Sequence, residues 1–95
     1  EMIVLASIIE REANDPESMG MVSGILHNRL REGMPLQADA SIEYVLDKPL
    51  EELTPEDLKV DSPYNTYLNK GLPPTPIGNP GAASIGAVLD PTPSD

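Results

Sequence analysis

The chain has 95 residues, enough for one domain with a modest core, and that core must be aliphatic because Phe and Trp are absent. Six basic residues against 16 acidic ones give a net charge of -10, which disfavours nucleic acid and anionic membrane surfaces as partners. With no cysteine and a single histidine, His27, the chain has no disulfide framework, no thiol nucleophile and no plausible zinc ligand set.

The first predicted element runs from Met2 to Ala13, apolar up to Ile9 and then charged at Glu10-Arg11-Glu12. That length favours a buried helix over a strand. Asp15-Pro16-Glu17 reads as a helix start, with Asp as N-cap, Pro at the first position and an acid in the first turn. Met19, Val22, Leu26 and Arg29, flanked by Ile25 and Leu30, form one stripe, and Gly33 is the C-terminal stop. The second helix is therefore expected from Pro16 to Glu32.

Asp39 is expected to cap a third helix carrying Ile42, Val45 and Leu46. Thr54-Pro55-Glu56-Asp57 starts a short helix ending near Lys59. From Asp61 to Gly81 the chain turns irregular, with Pro63, Pro73, Pro74, Pro76 and Pro80 among Gly71, Gly78 and Gly81. The stretch reads as an ordered irregular loop or a disordered linker, and Pro73 to Gly81 is expected to be ordered and packed on the helices, because its prolines fix φ. A last short helix spans Gly81 to Leu89 and closes at Asp90-Pro91. The fold class is mainly α. No apolar run is long enough to span a bilayer. The chain opens inside an apolar run and stops after Pro91-Thr92-Pro93, as a fragment of a longer protein would.

Glu12 is the first candidate for chemistry. On a helix it shares a face with Ile9, Ile8 and Leu5, and a carboxyl beside such side chains is desolvated and its pKa raised. A carboxylic acid still protonated near neutral pH is what a general acid for glycosidic cleavage requires. Glu10 faces Ala6, Ser7 and Ile3, a smaller and more polar surface, and is the weaker candidate. The bland alternative is a solvated helix end, with Arg11 as the counter-ion of both acids.

Several segments occur in a fixed order: Ala6-Ser7-Ile8-Ile9-Glu10-Arg11-Glu12-Ala13, Asn28-Arg29-Leu30, Leu36-Gln37-Ala38-Asp39, Tyr64-Asn65-Thr66-Tyr67, and Gly71-Leu72-Pro73-Pro74-Thr75-Pro76-Ile77-Gly78-Asn79-Pro80-Gly81. Together they resemble the YceG-like (MltG) endolytic murein transglycosylase family over nearly the whole chain. The resemblance implies a helical catalytic domain of the goose-lysozyme and soluble-lytic-transglycosylase type, with residues 1–95 as its core. It also implies a β-rich C-terminal part and a single-pass membrane anchor outside these residues. The location implied is the extracytoplasmic face of the bacterial cytoplasmic membrane. The partners implied are peptidoglycan glycan strands and cell-wall synthases, and no cofactor or metal is called for.

The resemblance places the catalytic role on Glu12, with Ala13 where the wider superfamily has a serine. It places Gln37 in the sugar cleft, the alternative being a loop glutamine facing solvent. Tyr64 and Asn65 resemble a segment lying over the catalytic glutamate. The alternative there is a tyrosine packed on the core beside a turn-forming asparagine. Asn28 is a weaker candidate for the cleft, and Asp39 is expected to cap a helix rather than act as a second catalytic carboxylate.

The implied reaction is that of a carbon–oxygen lyase acting on a polysaccharide. It cuts between MurNAc and GlcNAc without water and leaves 1,6-anhydro-MurNAc ends, so one carboxyl group suffices. Two other readings stay open at this level. A lysozyme-like hydrolase would need Asp39 or Glu43 to activate water. A non-catalytic glycan-binding or scaffolding module would leave Glu12 structural. A pyridoxal-phosphate lyase reading, which needs a Schiff-base lysine in a phosphate-binding fold, fails because Lys48, Lys59 and Lys70 lie in polar or loop contexts and no glycine-rich cradle precedes a helix.

Overall fold

The computed structural model describes residues 2–92; Glu1 and residues 93–95, including Pro93 of the terminal Pro-Thr-Pro, lie outside it. Among the described residues the helices are α1 (Met2–Glu12), α2 (Pro16–Arg31), α3 (Asp39–Leu46) and α4 (Ala82–Leu89). Two 3-10 turns, Leu50–Glu52 and Asp57–Lys59, lie between α3 and the proline-rich segment. No strand occurs among these residues, only an isolated antiparallel bridge between Pro35 and Lys70.

The near-continuous apolar run of α1 is explained by its position, since α2, α3 and α4 all pack against it. Residues Val4 to Ile9 are buried, with Ile8 and Ile9 fully so. Each of the Val, Leu and Ile side chains among them contributes about 1.5–3 kcal/mol of burial. Met19 and Leu26 of α2 join this core, as do Ala87 and Val88 of α4, which packs on both α1 and α2.

The ends of α2 follow the sequence signals closely. Asp15 accepts a hydrogen bond from the Ser18 N–H at 2.9 Å, and Pro16 occupies the first turn, where its missing donor costs nothing. At the other end Gly33 adopts a φ of +69°, which bends the chain back. The Gly33 N–H then reaches the Leu30 carbonyl and the Met34 N–H the Arg29 carbonyl, satisfying two orphan acceptors. His27 is half-buried on α2, and its Nε2 bonds the Val88 carbonyl, tying α2 to α4.

The third helix departs from expectation. Ala38, not Asp39, is its N-cap, and no side chain caps it. Asp39 is instead its first residue, with a carboxylate that accepts from the Tyr67 hydroxyl. An acid favours the first turn as readily as the cap position, because the helix dipole attracts negative charge at either place. The Leu50–Glu52 turn, with Pro49 before it and Glu51 and Glu52 in its first turn, lies outside the elements expected from the sequence.

The proline-rich segment is fastened to α1 at two points. The buried Ser7 hydroxyl accepts from the Ile77 N–H at 3.0 Å and donates to Val4 O at 2.6 Å. Glu10 accepts from the Gly81 N–H at 3.0 Å and the Ser84 hydroxyl at 2.9 Å. Pro73 and Ile77 are buried beneath this segment. The radius of gyration, 12.4 Å, matches the roughly 12 Å expected of a compact chain this long.

Candidate active site

Four segments converge around the C-terminal end of α1. Leu36, Gln37 and Ala38 run beside the stretch from Tyr64 to Tyr67 and are stitched to it by Thr66. The Gln37 N–H donates to the Thr66 carbonyl at 3.0 Å, and the Ala38 N–H to the Thr66 hydroxyl at 2.9 Å. Ser41 completes this buried knot, 2.9 Å from the Thr66 hydroxyl. The knot fixes where α3 begins. Its second residue, Ala40, therefore points its N–H at Glu12, 3.1 Å from Oε2.

Glu12 lines a pocket of about 170 Å³ together with Val22, Ile25, Leu26, Arg29, Leu36, Gln37 and Ala38. Desolvation by the pocket wall pushes its carboxyl pKa upward, and the nearby Asp39 and Glu43 carboxylates push the same way. The Ala40 N–H opposes them by favouring the charged form, and the net direction is up. The residue keeps an open side to solvent, so this is a carboxyl on a pocket wall rather than a buried acid. Arg29 lines the same pocket and donates to the Leu36 carbonyl.

Glu10 is the converse. Its exposed carboxylate sits at the N-terminus of α4, where the Gly81 and Ser84 donors hold its pKa below the usual value. Such a group is a structural anchor, not a proton donor at neutral pH.

The structure brings Gln37 to Glu12 and does so with a strained backbone. Gln37 has a φ of +55°, a left-handed conformation that a non-glycine residue holds only when its surroundings compel it. Here the bonds from residues 37 and 38 to Thr66 supply the compulsion.

Tyr64 and Asn65 are not among the residues lining that pocket. Tyr64 is half-buried against the core, its ring centroid 5.2 Å from that of Tyr44, and its hydroxyl lies 2.7 Å from the Thr75 hydroxyl. Asn65 is fully buried. Its amide donates to Leu58 O at 3.0 Å and Val60 O at 2.7 Å, and its oxygen accepts from the Tyr67 N–H at 2.8 Å. These contacts have the form of the core-packed tyrosine and turn-forming asparagine given above as the alternative. The tyrosine whose hydroxyl lies near Glu12 is Tyr67, which the sequence reading did not select. Its signal was available in the spacing, because the motif holds a second tyrosine three residues after the first.

Asn28 is half-buried on α2 and accepts from Arg31 one turn further along the helix. Among the described residues no three His, Cys, Asp or Glu side chains are grouped to hold a metal ion. No helix there is long and apolar enough to cross a membrane.

A model of the YceG-like family matches residues 1–95. The endolytic murein transglycosylase of Bacillus subtilis (strain 168) is 40% identical over 95 residues, covering 100% of this chain and 26% of that protein. The endolytic murein transglycosylase of Streptococcus pneumoniae serotype 2 (strain D39) is 36% identical over 100 residues, covering 100% of this chain and 18% of that protein. A crystal structure of a yceG-like protein from Listeria monocytogenes superposes with a TM-score of 0.90 at 44% identity, covering 99% of this chain and 31% of that one. The chain thus spans about a quarter or less of the two named transglycosylases.

Proposed function

The chain belongs to the YceG-like family, and from that premise we propose that it forms the catalytic core of an endolytic peptidoglycan lytic transglycosylase, with Glu12 as its single acid and base. The observation that carries this reading is the contrast at the end of α1. Glu12 is pushed toward its protonated form on a pocket wall, whereas Glu10, two residues earlier, is held as a carboxylate.

The chemistry follows from what one carboxyl group can do. Glu12 donates its proton to the oxygen between MurNAc and GlcNAc as the bond to C1 breaks. The resulting carboxylate takes the proton of the C6 hydroxyl of the same MurNAc, whose oxygen closes on C1. The product carries a 1,6-anhydro end, and Glu12 is protonated again. Because the nucleophile is tethered within the sugar, proximity replaces the second carboxylate that hydrolases use. The Ala40 N–H steadies Glu12 in its charged interval between the two transfers.

Gln37 offers a side-chain donor and acceptor to the sugar from the same pocket wall as Glu12. Tyr64 and Asn65 stand outside that pocket's lining, and Asn65 pins the 58–67 turn that carries Thr66 and Tyr67. The helical arrangement is assigned to the goose-lysozyme and soluble-lytic-transglycosylase group, on the ground that an apolar central helix ends in the acid. The substrate then sets the location: murein lies outside the cytoplasmic membrane, and an anchor beyond these residues would hold the enzyme at that face, near the cell-wall synthases.

Mass spectrometry of murein digested by the natural full-length protein tests the reading. Anhydro-MurNAc ends are expected. Reducing ends would make the enzyme a hydrolase, and unchanged strands would make the domain a binding module.

A further inference from the structure

Asp39 lies where two structural constraints meet. As the first residue of α3 it precedes Ala40, whose N–H holds Glu12, and its charge is within range to push the Glu12 carboxyl pKa upward. It is held there by the Tyr67 hydroxyl, which donates to Asp39 Oδ1. Tyr67 is itself fixed by its backbone N–H to Asn65 and is partly shielded from solvent. Its phenol, pushed up to about 12 by desolvation and by Asp39, remains a donor throughout the working pH range.

The charges facing Glu12 can be enumerated. α3 brings Asp39 and Glu43, the 64–67 segment brings Tyr67, and α2 brings Arg29, which lines the same pocket. α4 carries no titratable side chain. Arg29 keeps its charge while it donates to the Leu36 carbonyl, and the charges that act on the Glu12 carboxyl are those of Asp39 and Glu43.

We propose that Asp39 and Tyr67 form a positioning pair for Glu12, in which the anchored Asp39 carboxylate keeps Glu12 in its acid form without touching the bond that breaks. The inference rests on the reading of Glu12 as the acid. A negative charge near Glu12 disfavours ionisation of its carboxyl and adds to the larger effect of desolvation. The Tyr67 hydroxyl, by donating to Asp39, holds that charge in place.

The test uses the natural full-length protein and two readouts: the pH dependence of kcat/KM for glycan cleavage, and the ¹³C titration of the Glu12 carboxyl, assigned by its loss in Glu12→Gln. In Asp39→Asn the Glu12 midpoint and the basic limb of activity should both move to lower pH. On that limb kcat/KM should fall roughly tenfold, with the low-pH plateau changed far less. Tyr67→Phe should shift both readouts in the same direction, and the double variant no further than Asp39→Asn alone. Asp39→Glu keeps the charge and should keep the limb, which covers the case in which Asp39→Asn does not fold. An unmoved Glu12 titration in Tyr67→Phe, or a uniform loss of activity at all pH values in Asp39→Asn, would overturn the pair. A Glu12 titration that moves while activity ignores it would support the pair and overturn the catalytic reading instead.

Discussion

Glu10 and Glu12 stand two residues apart on one helix, and their carboxyl groups are pushed in opposite directions. The helix turns about 200° between them, so Glu10 meets the amide end of α4 and Glu12 the pocket beside α3. That division makes their titrations separable in stability as well as in activity.

For Glu12 the pKa is raised in the folded state, so the native form binds its proton more tightly than the unfolded chain. Stability conferred by that proton is present at low pH and lost as pH rises through the folded value. Glu12→Gln retains an oxygen for the Ala40 N–H and removes the ionisation. Thermal melting across pH should show the variant gaining on the wild type as pH rises from about 4 toward neutrality. A gap that stays constant with pH would mean that the carboxyl is not desolvated.

For Glu10 the sign reverses. Its folded pKa is lowered, so its contribution is present above the ordinary glutamate range and lost as pH falls through the folded value. Glu10→Gln should lower the melting temperature at neutral pH, and the difference should vanish in acid.

Ser7→Ala tests how the proline-rich segment is held. Removing the hydroxyl leaves the buried Ile77 N–H without its acceptor, at a cost of about 1–3 kcal/mol. Chemical denaturation should report this loss, and proteolysis should become faster between residues 71 and 81 before the helices are cut.

Gly33→Ala should cost about 1 kcal/mol from backbone strain alone, since φ is +69° and open space surrounds the new methyl group. Gly33→Asn should recover part of it, because asparagine tolerates the left-handed region.

Much of this fold was legible because its helix ends carry local chemistry. Asp15-Pro16 and Gly33 bound α2 within a residue of expectation, since caps and left-handed stops depend on neighbours in sequence. The upward pKa shift of Glu12 was legible for a related reason: its face is set by residues three, four and seven positions back. Asp39 was not, because what it bonds to lies 28 residues away, at Tyr67. Choosing between the two tyrosines of the motif had the same obstacle. Helical spacing says which side chains share a face, but Tyr64 and Tyr67 sit in an irregular segment whose path is set by long-range bonds to Ala38 and Ser41.

The most direct measurement compares anhydro-MurNAc release by Glu12→Gln and Glu10→Gln in the natural full-length protein, with folding checked by thermal melting. Glutamine matches glutamate in size and cannot donate a proton as an acid. The account predicts that Glu12→Gln lowers release by at least the roughly 10²–10⁴-fold typical of lost acid–base catalysis, while Glu10→Gln changes it far less. Near-normal release by a folded Glu12→Gln protein would contradict the account.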